Sequence, residues 1–188
     1  MGLSIERPQQ GALLISEPFL HDPYFQRSVI LITEYSPETG STGLILNKPI
    51  DLSLNDGLSD FPPYDGQVYL GGPIHKDNLF FIHTLGEKVE DSVEIIPGLY
   101  WGGNFETIKY MIASNQIADN EIRFFAGYSG WEPFQLEREV EEQAWIVTNS
   151  KAHTIMNTRN DSMWSDVLKE MGTEYAILAN FPVDPSLN

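Results

Sequence analysis

The order of apolar patterns predicts an α+β fold with a mixed, largely antiparallel sheet and flanking helices. Strand-like runs dominate the first half of the chain, whereas helices alternate with strands in the second, so neither a doubly wound fold nor a pure parallel sheet is expected. With 188 residues, 41% hydrophobic content and 12% aromatics, the chain is long enough for a real core and reads as one domain spanning 1–188. The stretch from Ile122 to Val147 organises the reading, because it contains a buried strand, a glycine-flanked corner, an amphipathic helix and a second buried strand in succession.

Gly11 to Ser16 is a short apolar run ending at Glu17-Pro18, hence a buried strand that stops before the loop at His21-Asp22-Pro23. Ser28 to Thr33 is rich in β-branched residues with apolar side chains toward both faces, as in a central strand. Turn chemistry over Ser36 to Ser41 joins it to an expected antiparallel partner, Gly43-Leu44-Ile45-Leu46, which breaks at Asn47-Lys48-Pro49. From Ile50 to Asp65 the chain is polar and punctuated by Gly57, Pro62 and Pro63, a long surface connection with one helical turn. Asp51, Ser53 and Asn55 imitate a calcium loop, but Gly57 falls one place late and Pro62 stands where the bidentate Glu belongs.

Gln67 to Leu70 before Gly71-Gly72-Pro73, Leu79 to His83, and Val93 to Ile96 before Pro97-Gly98 supply further strands. Asn104 caps a helix whose apolar face is Phe105, Ile108, Met111 and Ile112. The run Ile122 to Ala126 is expected to stop at Gly127-Tyr128-Ser129-Gly130-Trp131, where glycine permits a chain reversal. Pro133 suits the first turn of the next helix, with Leu136 and Val140 on its dry side and Glu137, Arg138, Glu139, Glu141 and Glu142 on its wet side. Trp145-Ile146-Val147 returns as a strand. Asn160 or Asp161 caps a helix that buries Met163, Trp164, Val167, Leu168 and Met171 and closes at Gly172, after which Tyr175 to Leu178 is expected to add a last strand.

A formal charge of −16, from 27 acids against 11 bases, repels phosphate backbones and anionic lipid, and the bases are scattered rather than clustered. Direct nucleic-acid binding is therefore disfavoured. The absence of cysteine excludes disulfides, thiolate catalysis and cysteine-ligated zinc. The apolar run Ala12-Leu13-Leu14-Ile15 is too short for a signal core or a membrane span, so a cytoplasmic protein with no membrane partner is expected. No cofactor is indicated: Gly40-Ser41-Thr42-Gly43 lacks the lysine of a phosphate loop, and Gly71-Gly72-Pro73 opens no helix. No metal site is expected, since His75-Lys76-Asp77 and His21-Asp22 are the only close His-carboxylate pairs.

The polar residues at predicted strand ends form the candidate ligand-binding set: Arg27, Ser28, Asn47, Lys48, Gly71, Gly72, His83, Tyr128, Ser129 and Gly130. Arg27 offers a fixed fork for an anion, and the N–H groups of Gly71 and Gly72 suit a small anion nest, so phosphate or carboxylate is the matching ligand. The alternative is that Arg27 pairs with a nearby acid and the glycines serve tight turns. Trp131 belongs to the set as a partner-binding hot spot if exposed, or, with Phe134 and Trp145, as an aromatic pocket. Ser129 invites a hydrolase reading, but a nucleophile elbow needs glycine two places away on each side, and Trp131 breaks that pattern.

Several stretches together resemble the YqgE/AlgH family of bacterial proteins: Gly11 to Ile15, Asp22 to Ile30, Gly43 to Pro49, Val68 to Pro73, Gly127 to Trp131 and Gln135-Leu136-Glu137. Their order and spacing cover nearly the whole chain. The resemblance implies a bifurcated, barrel-like sheet and a bacterial cytosolic protein without an established activity, although members are often labelled transcriptional regulators. Ser129 stands where the family commonly has Ala, and Glu132-Pro133-Phe134 replaces a more glycine-rich approach to Gln135. Two function classes follow. One is a non-enzymatic regulatory or adaptor protein binding a small anion or a protein partner. The other is a hydrolase-like enzyme using Ser129 or Ser28 with a histidine, which requires serine, histidine and carboxylate to converge in one cleft.

Overall fold

A computed structural model describes residues 7–158 and 162–182. Its strands are β1 (Leu13–Ser16), β2 (Val29–Glu34), β3 (Ser41–Ile45), β4 (Pro49–Ile50), β5 (Val68–Leu70), β6 (Ile74–His83), β7 (Val93–Ile96), β8 (Leu99–Trp101), β9 (Ile122–Trp131) and β10 (Trp145–Thr148). The helices are α1 (Leu54–Gly57), α2 (Phe105–Ala113), α3 (Gln135–Glu141), α4 (Ala152–Asn157), α5 (Met163–Glu170) and α6 (Thr173–Leu178). Across the sheet the order is β10, β1, β2, β3, β9, β6, β8, β7. The β4–β5 pair joins this path at β9, where β5 runs parallel and every other pairing is antiparallel. The mixed α+β class and the curled, half-barrel sheet agree with the sequence reading. Among the described residues no helix is long and apolar enough to cross a membrane.

Both faces of the curled sheet are covered. On β2, Val29 and Leu31 face one side and Ile30 and Ile32 the other, all fully buried, as its unbroken apolar run requires. Inside the curl, Leu13, Leu31, Leu44, Ile82 and Phe125 pack on Trp164 and Leu168 of α5. On the outer face, Leu14, Ile30, Ile45, Trp131 and Trp145 pack on Leu136 and Val140 of α3. A third cluster joins Phe61, Phe81 and Phe124 to Ile108 and Met111 of α2. Asn104 caps α2 as expected, its Oδ1 accepting the Thr107 N–H at 3.1 Å.

Two expectations are corrected. The run from Ile122 does not reverse at Gly127; β9 continues to Trp131, because β6 pairs with it as far as Tyr128 and β3 takes over from Ser129. Gly127 has a φ of 70°, and a Cβ there would stand 2.6 Å from the Gly72 carbonyl oxygen, so the glycine serves a close backbone approach rather than a turn. Tyr175 to Leu178 is helical, since Met171, Tyr175, Leu178 and Ala179 recur at helical spacing against the inner core. β4, β8 and α4 were not anticipated, and the proposed cap at Asn160 or Asp161 lies outside the described residues.

Gly127→Ala should cost about 2 kcal/mol or more, as the strain of a crowded, left-handed site. Gly57→Ala, with nothing within 4 Å of an added Cβ, should be neutral or stabilising. Equal urea midpoints for the two variants would contradict the crowding at Gly127.

Candidate functional site

The loop before β2 is wound by Asp22, whose Oδ1 accepts the N–H groups of Tyr24 at 2.8 Å and Phe25 at 3.1 Å. Arg27 leaves this turn with a φ of 50°, a left-handed conformation uncommon outside glycine. Asn47, at the far end of the β2–β3 hairpin, holds that geometry: its Nδ2 donates to the Arg27 carbonyl at 2.8 Å and its Oδ1 accepts the Val29 N–H at 2.9 Å. The fold thus brings Arg27, Ser28 and Asn47 together, with Lys48 beside them donating to the Gln26 carbonyl at 2.7 Å.

The guanidinium of Arg27 lies 4.6 Å from the Trp164 ring centroid, and its Nη2 donates to the Phe181 carbonyl. Trp164 is itself fixed by donating Nε1–H to the Ser16 carbonyl at 3.0 Å, while Ser16 Oγ accepts the Ser28 N–H at 2.9 Å. Among the described residues neither Arg27 nor Lys48 forms an ion pair with a carboxylate. Arg27 Nε and the Oγ of fully buried Ser28 have no hydrogen-bond partner there. Loss of water around Lys48 holds its ammonium below the usual lysine range. Both cations thus take neutral main-chain carbonyls as acceptors.

Gly71, Gly72, Tyr128, Ser129 and Gly130 form a second group, where β5 leaves β9 and β3 joins it. The Gly71 N–H donates to the Ala126 carbonyl at 2.9 Å, so it is unavailable for an anion nest. Ser129 is fully buried and donates Oγ–H to the Gly71 carbonyl at 3.0 Å. Trp131 is buried rather than exposed. Its Nε1–H donates to Glu139 Oε2 at 2.9 Å, and Trp145 donates to the same oxygen at 2.7 Å. One carboxylate therefore clamps both indoles, and Phe134 stands apart, largely exposed.

His83 joins neither group. It pairs with Ile122 on β9, seven positions from Ser129, roughly 20 Å along the strand at ~3.3 Å per residue. It is fully buried, with Nε2 at 3.1 Å from the Gly102 carbonyl and Nδ1 accepting the Leu85 N–H at 3.3 Å. That pairing selects the neutral ring with its proton on Nε2. Neither Ser129 nor Ser28 is thereby offered His83 as a base. Among the described residues no group of three His, Asp or Glu side chains converges for a metal ion.

Arg123 is one of the bases scattered along the sequence, and the fold gives it a structural place. It is 6% exposed, donating from Nη1 to the Ile155 carbonyl at 2.8 Å and from Nη2 to the Leu46 carbonyl at 2.5 Å. Its guanidinium stacks 4.2 Å from the Tyr69 centroid. The legible signal was alternation, since Arg123 shares a strand face with Phe125. A cleft of about 470 Å³ bordered by Tyr64, Gln67, Asn115 and Asp119 reaches this cation, whose Nη1 and Nη2 already serve carbonyls.

A family profile described as AlgH-like matches residues 13–176. A UPF0301 protein of Bacteroides fragilis is 44% identical over 182 residues, covering 96% of this chain and 92% of the relative. One from Cytophaga hutchinsonii is 41% identical over 180 residues, covering 95% and 98%. The crystal structure of a Corynebacterium diphtheriae protein superposes with a TM-score of 0.78 at 24% identity, covering 95% of each chain. The solution structure of the AlgH protein from Pseudomonas aeruginosa gives 0.74 at 24% identity, covering 96% and 98%. At that identity these two structures speak to the fold.

Burial holds the His83 pKa below its ordinary 6.5. The unfolded chain therefore gains a proton that the folded chain refuses as pH falls through 6.5, and this contribution to stability is lost on acidification. Urea unfolding between pH 7.5 and 5.5 should show a decline that shrinks in His83→Gln; an unchanged slope would contradict it. Arg123→Ala should cost about 3 kcal/mol or more by leaving carbonyls without donors, and Arg123→Lys should restore little because one ammonium cannot span both. Full recovery by lysine in thermal unfolding would refute the bridging role.

Proposed function

The chain belongs to the AlgH-like family, and we propose that it is a non-enzymatic regulatory or adaptor protein that takes a small anion at Arg27. The observation that carries this reading is that Arg27, and Lys48 in the neighbouring backbone, are partly buried cations each held against a neutral carbonyl in a chain of 27 acids and 11 bases. Charges removed from water are ordinarily paired, and an acid-rich chain has carboxylates to spare for that purpose. Leaving Arg27 Nε without an acceptor keeps a directional donor for an incoming oxyanion. Inorganic phosphate and small carboxylates are the chemical class that fits.

The hydrolase alternative finds less support. Ser129 Oγ is already donating to Gly71, and His83 has both ring nitrogens engaged at a distance from it. A protein partner remains part of the regulatory reading, with the anion as the signal that partner would sense. A cytoplasmic setting belongs to the same proposal, and direct contact with nucleic acid runs against the charge of −16.

Thermal unfolding titrated with inorganic phosphate and with acetate tests the site. A ligand at 100 times its Kd adds about 2.7 kcal/mol to the native state, so a saturable rise in Tm is expected. It should vanish in Arg27→Ala and weaken in Lys48→Ala. A rise of equal size in wild type and Arg27→Ala would be the general stabilisation that phosphate gives any compact protein, and the reading would fall.

A further inference from the structure

We infer that α6 and the turn after it form a strap that closes over the Arg27 site and competes with its anion. This rests on the anion reading above and adds a regulatory element to that site. Three features carry it. First, Arg27 Nη2 is occupied by the main-chain carbonyl of Phe181, a neutral acceptor that a phosphate or carboxylate oxygen surpasses through charge assistance. Second, the hold on that carbonyl is local: the Phe181 ring meets Phe19 with centroids 5.3 Å apart, and Phe19 is 37% exposed.

Third, the segment is built to part from the body. α5 buries Met163, Trp164, Val167 and Leu168, whereas α6 buries no residue, and Ile177 is 60% exposed. Between the two helices stands Gly172, with a φ of 116° that breaks the helical path of α5 and nothing within 4 Å of a would-be Cβ. Tyr175, Leu178 and Ala179 pack on the inner core as half-buried side chains. A segment anchored by partial contacts opens more readily than the helix preceding it.

The strap and the anion draw on the same guanidinium nitrogen, Nη2, so the two compete for it. In the strapped state the Phe181 carbonyl occupies Nη2 while Nε stays vacant. An oxyanion approaching the guanidinium edge reaches Nε and Nη2 together, replacing one hydrogen bond to a neutral carbonyl with a two-point contact to an anion. The apparent affinity for the anion is then the intrinsic affinity reduced by the fraction of molecules that are open.

Calorimetric titration with inorganic phosphate, at constant ionic strength, reads this competition in the full chain. Phe181→Ala and Phe19→Ala attack the ring contact from opposite sides and should each tighten phosphate binding about fivefold, the scale of one aromatic pair. Circular dichroism establishes that both remain folded. Hydrogen exchange of the amides of residues 173–181 should speed up when phosphate saturates the wild type. Unchanged affinity in both variants, with binding still dependent on Arg27, overturns the strap and leaves the anion site standing. Absence of phosphate binding in the wild type and in both variants overturns the anion reading, and the strap with it. Binding seen in the variants alone supports a strap that is fully closed in the wild type.

Discussion

The approach of two main chains at Gly127 is the constraint to which the rest of the sheet answers. One edge of β9 belongs wholly to β6, while the other is shared: β5 occupies Phe124 to Ala126 and β3 occupies Ser129 to Trp131. Sharing an edge obliges β5 to leave where β3 arrives. Gly71 makes that exit, giving its N–H to Ala126 while its carbonyl accepts from the Ile45 N–H at 2.9 Å and from Ser129 Oγ at 3.0 Å. A Cβ on Gly71 would stand 2.2 Å from the Gly127 carbonyl oxygen, so the fork excludes side chains and is held by hydrogen bonds instead. The bifurcation, and with it the curl that creates an inner face, follows from this junction.

Arg123 stabilises the underside of the same fork. It sits on β9 at the level of β5 and reaches the carbonyl of Leu46, just beyond β3, and that of Ile155 in α4. Burying a guanidinium is costly, and the compensation here combines carbonyl acceptors with the faces of Tyr69 and Phe125. Arg123, Arg27 and Lys48 all bond to main-chain carbonyls, so three of the chain's 11 bases are engaged with the backbone in a chain that carries 27 acids. At long range the excess of acids repels anions. Any selectivity at Arg27 must therefore come from short-range, directional contact rather than from the field of the molecule.

How much the sequence disclosed depends on the range of each interaction. β2, β3 and β7 were legible because β-branched runs and turn residues lie within a few positions of one another, and Asn104 announced α2 through its own side chain. β8 was hidden because three residues between two glycine-containing turns carry no period. Gly127 misled because glycine marks a turn and a close backbone approach alike. The meeting of Arg27 with Asn47 spans 20 positions across one hairpin and could be anticipated. The contact of Arg27 with Phe181 spans 154 positions, and that of Trp164 with Ser16 spans 148; no local pattern encodes either.

Trp164 explains why the candidate site sits where the core ends. Its indole fills the inner curl beside Leu168, its Nε1–H fixes the end of β1 at Ser16, and its face receives Arg27. Ser16 in turn holds the backbone of Ser28 through Oγ, so Arg27 is supported from below by side chains that are themselves buried. The position of the cation is thus set by core packing. What covers it is set by Phe181, Phe19 and a helix that buries none of its own residues. A charge held rigidly from the core side and loosely from the solvent side is the arrangement that the proposed anion site and its strap require: a preorganised donor beside a competitor that can leave.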